Sequence, residues 1–419
     1  MNYKVSILTI GDEICIGQIT NTNASWIANE CSKLGAEVII HSSVGDSNTV
    51  IVQELSRLAK TSDCILITGG LGPTHDDITK SCLCEYFNDT LLENKTVLTQ
   101  LQEMFAKRGR ELTPRNASQA MLPTTCTPLP NNLGTAPGMK FVRNEATYIS
   151  MPGVPNEMKG LMIEHVLPFI ESEIASKSCS VIKHKTIMTT GIPESNLADV
   201  IGNPDEFLEG NSLAFLPSYS GVRLRISVTA KEFNKALEQI TKISQHLYKT
   251  AGEYIYGEDD KQLAEVVQEL LISSNKTLSV AESCTGGLLG SMITDIPGSS
   301  LYFMGGFECY SNESKIREVG VNPLTIESNG AVSKPVAEEL ASRVRVRFNT
   351  DYGIGITGVA GPDGGTEDKP VGTVWIAIAD ANDVITIKHV FGNDRRANRE
   401  RACSSALLIL LKRINNKLN

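Results

Sequence analysis

Residues 64–79 read Cys64-Ile65-Leu66-Ile67-Thr68-Gly69-Gly70-Leu71-Gly72-Pro73-Thr74-His75-Asp76-Asp77-Ile78-Thr79, an apolar run, a glycine-rich turn and paired acids in an order that decides the fold. The short apolar run makes a strand, the glycines turn the chain, and a helix opens near Ile78. The same alternation precedes it, with a strand from Val5 to Ile10, a helix from Asn23 to Leu34, a strand from Glu37 to Ser42 and a helix from Ser47 to Lys60. Ile27, Cys31 and Leu34 share one helical face, as do Ile51, Leu55 and Leu58. Strand and helix repeating in this way predict an α/β domain on a parallel sheet with right-handed crossovers. Ligands of such sheets bind beyond the carboxyl ends of the strands.

Two loops occupy those ends. Gly11-Asp12-Glu13, with Gly17-Gln18-Ile19, follows the first strand, and the glycine-rich loop after Thr68 follows the third. The second loop has no Walker lysine and is not G-x-G-x-x-G. Its glycines let backbone amides approach a phosphate, while the carboxylates of Asp76 and Asp77 repel one. A divalent cation bound between carboxylates and a diphosphate, with Asp46 contributing from the next strand end, resolves the conflict. Asp77 is the expected metal ligand; one of the two acids is expected to cap the helix near Ile78. Asn132-Leu133-Gly134-Thr135-Ala136-Pro137-Gly138 and Met151-Pro152-Gly153-Val154-Pro155 can close over the same site or only shape turns, the latter segment lying between a strand (Thr147 to Ser150) and a helix (Asn156 to Phe169).

Residues 171–180 are small and polar and read as a linker. Short strands (Lys185 to Thr190, Leu213 to Leu216, Val222 to Thr229) and an amphipathic helix (Lys231 to Thr250) follow, a small α+β segment of KH-like size. It lacks a Gly-x-x-Gly clamp and a basic stripe, which argues against direct nucleic-acid binding and for a spacer or dimerisation role. Gly257-Glu258-Asp259-Asp260 marks the next boundary.

In the last segment Val280-Ala281-Glu282-Ser283-Cys284-Thr285-Gly286-Gly287 precedes Tyr310-Ser311-Asn312-Glu313-Ser314-Lys315. Thr277 to Ala281 reads as a strand and Thr285 to Thr294 as a helix, so Ser283 falls at a turn where helix amides can hold an oxyanion or phosphate. A nucleophilic serine needs a base. Only His389 lies beyond residue 250, in a strand-like run where an imidazole is more often structural, so Lys315 is the candidate base and Tyr310 a proton relay. Cys284 is a rival nucleophile, since a helix N-terminus can depress a thiol pKa. Tyr352 to Ile356 leads into Thr357-Gly358-Val359-Ala360-Gly361-Pro362-Asp363-Gly364-Gly365, and Phe391-Gly392-Asn393-Asp394 caps a helix bearing Arg395, Arg396, Arg399 and Arg401. Arg399 is the chosen anion contact.

The 419 residues suggest roughly three domains. Hydrophobic residues make up 41% and charged residues 21%, no apolar run is long enough for a membrane span, and the start lacks a signal peptide's core, so a soluble cytoplasmic protein without membrane partners is expected. Ten cysteines show no Cys-x-x-Cys spacing, which fits neither a zinc site nor a disulfide frame. The net charge of −9 means that any anion must be held by a local site.

Seven segments in order resemble the competence/damage-inducible CinA family: Gly-Asp-Glu-Ile from residue 11, the glycine-rich loop to Asp77, Gly-Thr-Ala-Pro-Gly-Met, Pro-Gly-Val-Pro, Ala-Glu-Ser-Cys-Thr-Gly-Gly, Tyr-Ser-Asn-Glu-Ser-Lys and Gly-Ile-Thr-Gly-Val-Ala-Gly-Pro-Asp-Gly-Gly. The resemblance implies an N-terminal three-layer αβα domain of molybdopterin-binding type (1–170), a small α+β domain (178–252) and a C-terminal αβ deamidase domain (258–419). It implies metal-dependent hydrolysis of ADP-ribose to AMP and ribose 5-phosphate, with Co, Mg or Mn as the ion. It also implies a cofactor-free deamidation of nicotinamide mononucleotide, and a homodimer. Ser283 would be the nucleophile, activated by Tyr310 and Lys315, with Thr357, Gly358, Ala360, Arg399 and Gly286 on the substrate. Gly70, Gly72, Thr74 and Glu13 would bind the N-terminal substrate, and Asp46 and Asp77 the metal. Two departures stand out: Asn393 replaces a usual glycine and Met151 a smaller aliphatic. The other reading is a binding module, an N-terminal domain that holds a molybdopterin-like or nucleotide ligand in a scaffold for DNA uptake or repair.

Overall fold

A computed structural model describes residues 2–74, 77–177 and 181–415, so Asp76 of the glycine-rich loop lies outside the described residues. The chain divides into two compact units, Met1–His184 with Ser227–Ile240, and Lys185–Ile226 with Thr241–Asn419.

In the first unit β1 (Lys4–Ile10), β2 (Glu37–Val44), β3 (Cys64–Thr68), β4 (Thr127–Leu129), β5 (Gly138–Arg143) and β6 (Ala146–Met151) form one sheet in the order β2-β1-β3-β6-β5-β4. Helices α1 (Thr22–Leu34), α2 (Asn48–Leu58) and α3 (Thr79–Phe87) connect its first strands. The parallel sheet expected from the alternation holds for β2, β1, β3 and β6 and ends there, because β5 and β4 run antiparallel. The cause is the two-residue turn Asn144-Glu145, both at positive φ (49° and 65°), which is too short for a crossover and sends the chain straight back. All five residues of β3 are buried: Ile65 and Ile67 pack with Ile51, Leu55 and Leu58, and Cys64 and Leu66 pack with Ile27 and Cys31. Both faces of the sheet are thus covered, giving three layers.

The expected linker is a correction. Helix continues through Leu167–Lys177, with Ile170 fully buried, and the small polar residues are the solvent side of its last turns. Next, β7 (Val181–Thr189), β8 (Ser212–Ser218), β9 (Gly221–Ala230) and β10 (Ile255–Glu258) form a four-stranded sheet in the order β8-β9-β7-β10. Of the expected boundary Gly257-Glu258-Asp259-Asp260, the first two residues end β10, which pairs antiparallel with β7, and the other two follow the strand.

The second unit carries β11 (Leu278–Glu282), β12 (Phe303–Glu308), β13 (Tyr352–Gly358), β14 (Thr373–Ala379) and β15 (Val384–Val390) in the order β12-β11-β13-β14-β15. Its helices include α4 (Leu288–Thr294), α5 (Lys334–Phe348) and α6 (Arg395–Ile414). Strand β11 is parallel to β12 and β13, and β14 and β15 then alternate in direction. The carboxyl ends of β11, β12, β13 and β15 consequently share one edge, and the loops that follow them are gathered there. Helix α5 lies against β13 through two glycines; a Cβ on Gly353 would stand 2.2 Å from Ala341 O, and one on Gly355 2.4 Å from Ala337 O. On the opposite face Ala402, Ala406 and Leu407 of α6 pack with Val280, Ile354 and Ile356. Among the described residues no helix is long and apolar enough to cross a membrane. The nine described cysteines are all free, and six are buried as small apolar side chains.

Candidate functional sites

Ser283 leaves the sheet at the end of β11, where its N–H donates to Ile356 O (3.0 Å) and its carbonyl accepts from Gly286 N–H (3.1 Å). Gly286 and Gly287 stand at φ +58° and +80°, so the helix opens at Leu288, three residues later than expected. Its first amides are not offered to a ligand: the buried Glu282 carboxylate accepts from Leu289 N–H (3.0 Å) and Gly290 N–H (2.7 Å). Any oxyanion contact therefore falls to the turn rather than the helix. Arg399 braces that turn, donating from Nε (2.9 Å) and Nη2 (2.7 Å) to Thr285 O.

Lys315 is 1% exposed. Its Nζ donates to Cys309 O (2.8 Å) and Tyr310 O (3.1 Å), and Ser311 O lies farther off at 3.5 Å. Burial pushes its pKa below the ordinary lysine value. Three carbonyl acceptors can take the three N–H groups of the protonated amine; on loss of one proton the two nearer carbonyls hold the remaining hydrogens and the lone pair can accept a proton. The amine is tied to the end of β11 through Cys309, whose carbonyl it holds and whose N–H donates to Glu282 O (2.8 Å), one residue before Ser283. Burial pushes the Cys284 thiol up to about 12. A thiol so raised is a poor nucleophile near neutrality.

Tyr310 differs from its expected relay geometry. Its side chain is 57% exposed and its hydroxyl accepts from Arg395 Nη2 (2.9 Å), while its main-chain carbonyl holds Lys315. Thr357 is buried with its hydroxyl donating to Ala331 O (2.8 Å), so that hydrogen is already used within the fold. A Cβ on Gly358 would meet Thr373 O at 2.7 Å. Ala360 O accepts from Asn398 Nδ2 (3.0 Å), which also holds Gly392 O (2.8 Å) and so joins the two loops. Asn398, Arg395 and Glu282 were not singled out by the sequence reading; the only signal for Asn398 is a polar residue on the buried side of α6. His389 stacks on Phe391 and is structural, with burial lowering its pKa.

In the first unit a cavity of about 430 Å³ opens at the carboxyl ends of β1 and β3, and Gly11, Gly70 and Gly72 are on its wall. Glu13, Asp46, Asp77 and Glu157 line it, with no lysine or arginine among the described residues doing so. Asp77 shapes the loop: Oδ1 accepts from Gly72 N–H (2.8 Å), and Oδ2 accepts from Thr74 N–H (2.9 Å) and from the Thr74 hydroxyl. Helix α3 has Ile78 at its N-cap and no side-chain cap bond, so of the two acids Asp77 does not cap it and Asp76 lies outside the described residues. Thr74 thus serves Asp77 and is not on the cavity wall. Asp46 Oδ2 accepts from Asp12 N–H (3.0 Å) while Asp12 Oδ1 accepts from Asp46 N–H (3.1 Å), which ties the ends of β1 and β2 together. Among the described residues no group of three or more His, Cys, Asp or Glu is gathered to hold a metal ion. Carboxylates without cations still fit a metal-bound diphosphate better than a bare one, because a bare one would meet only like charge.

These are the features of a two-site α/β protein, an N-terminal unit of molybdopterin-binding type followed by a serine-turn unit. Residues 6–172 match the family described as probable molybdopterin binding domain, 184–257 the damage-inducible protein CinA KH domain, and 260–414 the CinA C-terminal domain. A CinA-like protein of Flavobacterium psychrophilum is 43% identical over 416 residues, 98% of each chain. One from Cytophaga hutchinsonii is 40% identical over 408 residues, 97% of each. The solved structure of CinA from Thermoplasma acidophilum is 32% identical and covers 41% of this chain and 98% of its own, with a TM-score of 0.37. The chain belongs to the CinA family.

Proposed function

We propose that the chain is a bifunctional hydrolase of pyridine-nucleotide recycling, whose C-terminal site deamidates nicotinamide mononucleotide. The observation that carries this reading is the buried Lys315 amine, held by main-chain carbonyls of a loop whose Cys309 N–H donates to Glu282 O, the residue before Ser283. Neutral Lys315 accepts the Ser283 proton as the oxygen attacks the carboxamide carbon. The C–N bond then breaks, the proton goes to the departing ammonia, and water hydrolyses the acyl-serine to release nicotinate mononucleotide. Purified protein should release ammonia from nicotinamide mononucleotide, Ser283→Ala should not, and Cys284→Ala should behave as wild type. Undiminished turnover by Ser283→Ala removes the serine from the mechanism.

For the N-terminal site the proposed reaction is hydrolysis of ADP-ribose to AMP and ribose 5-phosphate, supported by the acid-lined glycine cavity. A bound divalent ion (Co, Mg or Mn) supplies neutralisation of the diphosphate and polarisation of a phosphoryl oxygen. Asp46 and Asp77 would hold it, Gly70 and Gly72 let main-chain amides approach the phosphates, and Glu13 closes the cavity beside Gly11. Chelation, or Asp77→Ala, should abolish AMP formation and spare ammonia release. Commitment of Asp77 to its own loop favours the second reading, ligand binding without turnover; tight ADP-ribose binding with no AMP under every metal tried would establish it.

A further inference from the structure

Of the four arginines that open α6, two are committed elsewhere: Arg396 pairs with Glu400 (2.9 Å), and Arg399 spends two donors on Thr285 O. Arg395 is placed differently. It is exposed, its Nη1 donates to Gly361 O (2.8 Å) and its Nη2 to the Tyr310 hydroxyl (2.9 Å), so it spans the glycine loop after β13 and the loop that carries Lys315. Its charge also reaches the turn after β11, where it opposes the rise of the Cys284 thiol. A guanidinium has five N–H donors, and these two contacts leave three. The adjacent acid Asp394 is occupied as the helix cap, accepting from Ala397 N–H (2.8 Å).

We propose that Arg395 is the phosphate-binding and specificity-determining residue of the C-terminal site, receiving the 5′-phosphate of the mononucleotide while the carboxamide lies at Ser283. The inference rests on the deamidase reading above and differs from it in what it says about substrate choice. A phosphate offers the planar fork of arginine two parallel acceptors, which neither Gly361 O nor the neutral Tyr310 hydroxyl can match. Phosphate arrival would exchange the Tyr310 bond for charge-assisted ones and keep Gly361 in place through Nη1.

The test compares two substrates on the full-length protein: nicotinamide mononucleotide, and nicotinamide riboside, which lacks only the phosphate. Arg395→Ala should raise KM for the mononucleotide roughly 10- to 100-fold with kcat nearly unchanged, as expected for losing hydrogen bonds to a charged group. Its KM for the riboside should change far less, because there only the loop contacts to Gly361 and Tyr310 are lost, and Arg395→Lys should restore part of the mononucleotide affinity through charge alone. Equal losses on both substrates would overturn the proposal, since phosphate recognition cannot affect a substrate without one. Should Arg395→Ala fail to fold, Arg395→Gln must show the same selective loss. Wild-type protein inert on both substrates would overturn the deamidase reading, and this inference with it.

Discussion

Glu282 is the residue whose removal the structure prices most directly. Its carboxylate is 2% exposed and receives two N–H groups of α4, those of Leu289 (3.0 Å) and Gly290 (2.7 Å). Hydrogen bonds to a charged acceptor contribute about 1.5–3 kcal/mol each, and Glu282→Ala leaves both amides without a partner in a site that water reaches poorly, for a destabilisation of roughly 3–6 kcal/mol. Glu282→Gln keeps one acceptor oxygen and loses the charge at the helix terminus, which is worth about 0.3–1 kcal/mol by itself, so it should cost roughly half as much. The chain has two tryptophans, Trp26 and Trp375, and Trp375 lies in β14 of the same sheet as Glu282. In a Trp26→Phe background, guanidinium unfolding followed by Trp375 fluorescence reports the second unit alone, which avoids treating a two-unit chain as a single transition. Because Glu282 is joined to Ser283 by a peptide bond, ammonia release should fall before the fluorescence transition is reached. A loss below about 1 kcal/mol in Glu282→Ala, or no difference between the Gln and Ala variants, would refute the claim that this carboxylate anchors the turn.

Three further outcomes are expected. Ammonia release should rise with pH as Lys315 loses its proton, and since burial lowers that pKa the midpoint should fall below the value near 10.4 of a free lysine; a flat profile excludes Lys315 as the base, and Lys315→Arg should be inactive at every pH. Burial pushes the Lys80 pKa down to about 8, so below that pH both folded and unfolded chains hold the proton and the cost of burying the charge is felt in full. Between about 8 and 10.4 only the unfolded chain keeps the proton, so stability of the first unit should climb by up to about 3 kcal/mol; a denaturant titration of Lys80→Met should lack this climb. Cys284 should resist iodoacetamide at neutral pH, given its burial and a pKa near 12, whereas exposed Cys15 should be alkylated first; mass spectrometry of the labelled peptides reads this directly.

Much of the architecture was legible because it rests on local pattern. Ile51, Leu55 and Leu58, spaced along one helical face, are all fully buried, and β3 and β15 begin and end where their apolar runs do. Ser311 accepts from Ser314 N–H and Asp394 from Ala397 N–H, caps that follow from residue type and position. The misreadings occurred where context overrides composition. Residues 171–177 look like a linker yet continue a helix, because burying Ile170 outweighs the polarity of their outer face. The antiparallel return of β5 and β6 hinges on two residues at positive φ, Asn144 and Glu145, and the second has no strong preference that would announce it.

The chain by itself determined which chemistry is available: a serine at a strand end, a lysine without histidine competitors, glycine loops beside acids, and arginines at one helix start. Those are properties of residue type and short-range spacing, and they survive without coordinates. Which group faces which was decided only in three dimensions. Parallel and antiparallel strands bring the loops after β11, β12, β13 and β15 to one edge, so Arg399 meets Thr285 over 114 residues and Arg395 meets Tyr310 over 85. The same closeness turns Glu282 back onto α4 and takes Asp77 into its own loop, because a buried N–H must find an acceptor and the nearest carboxylate supplies it.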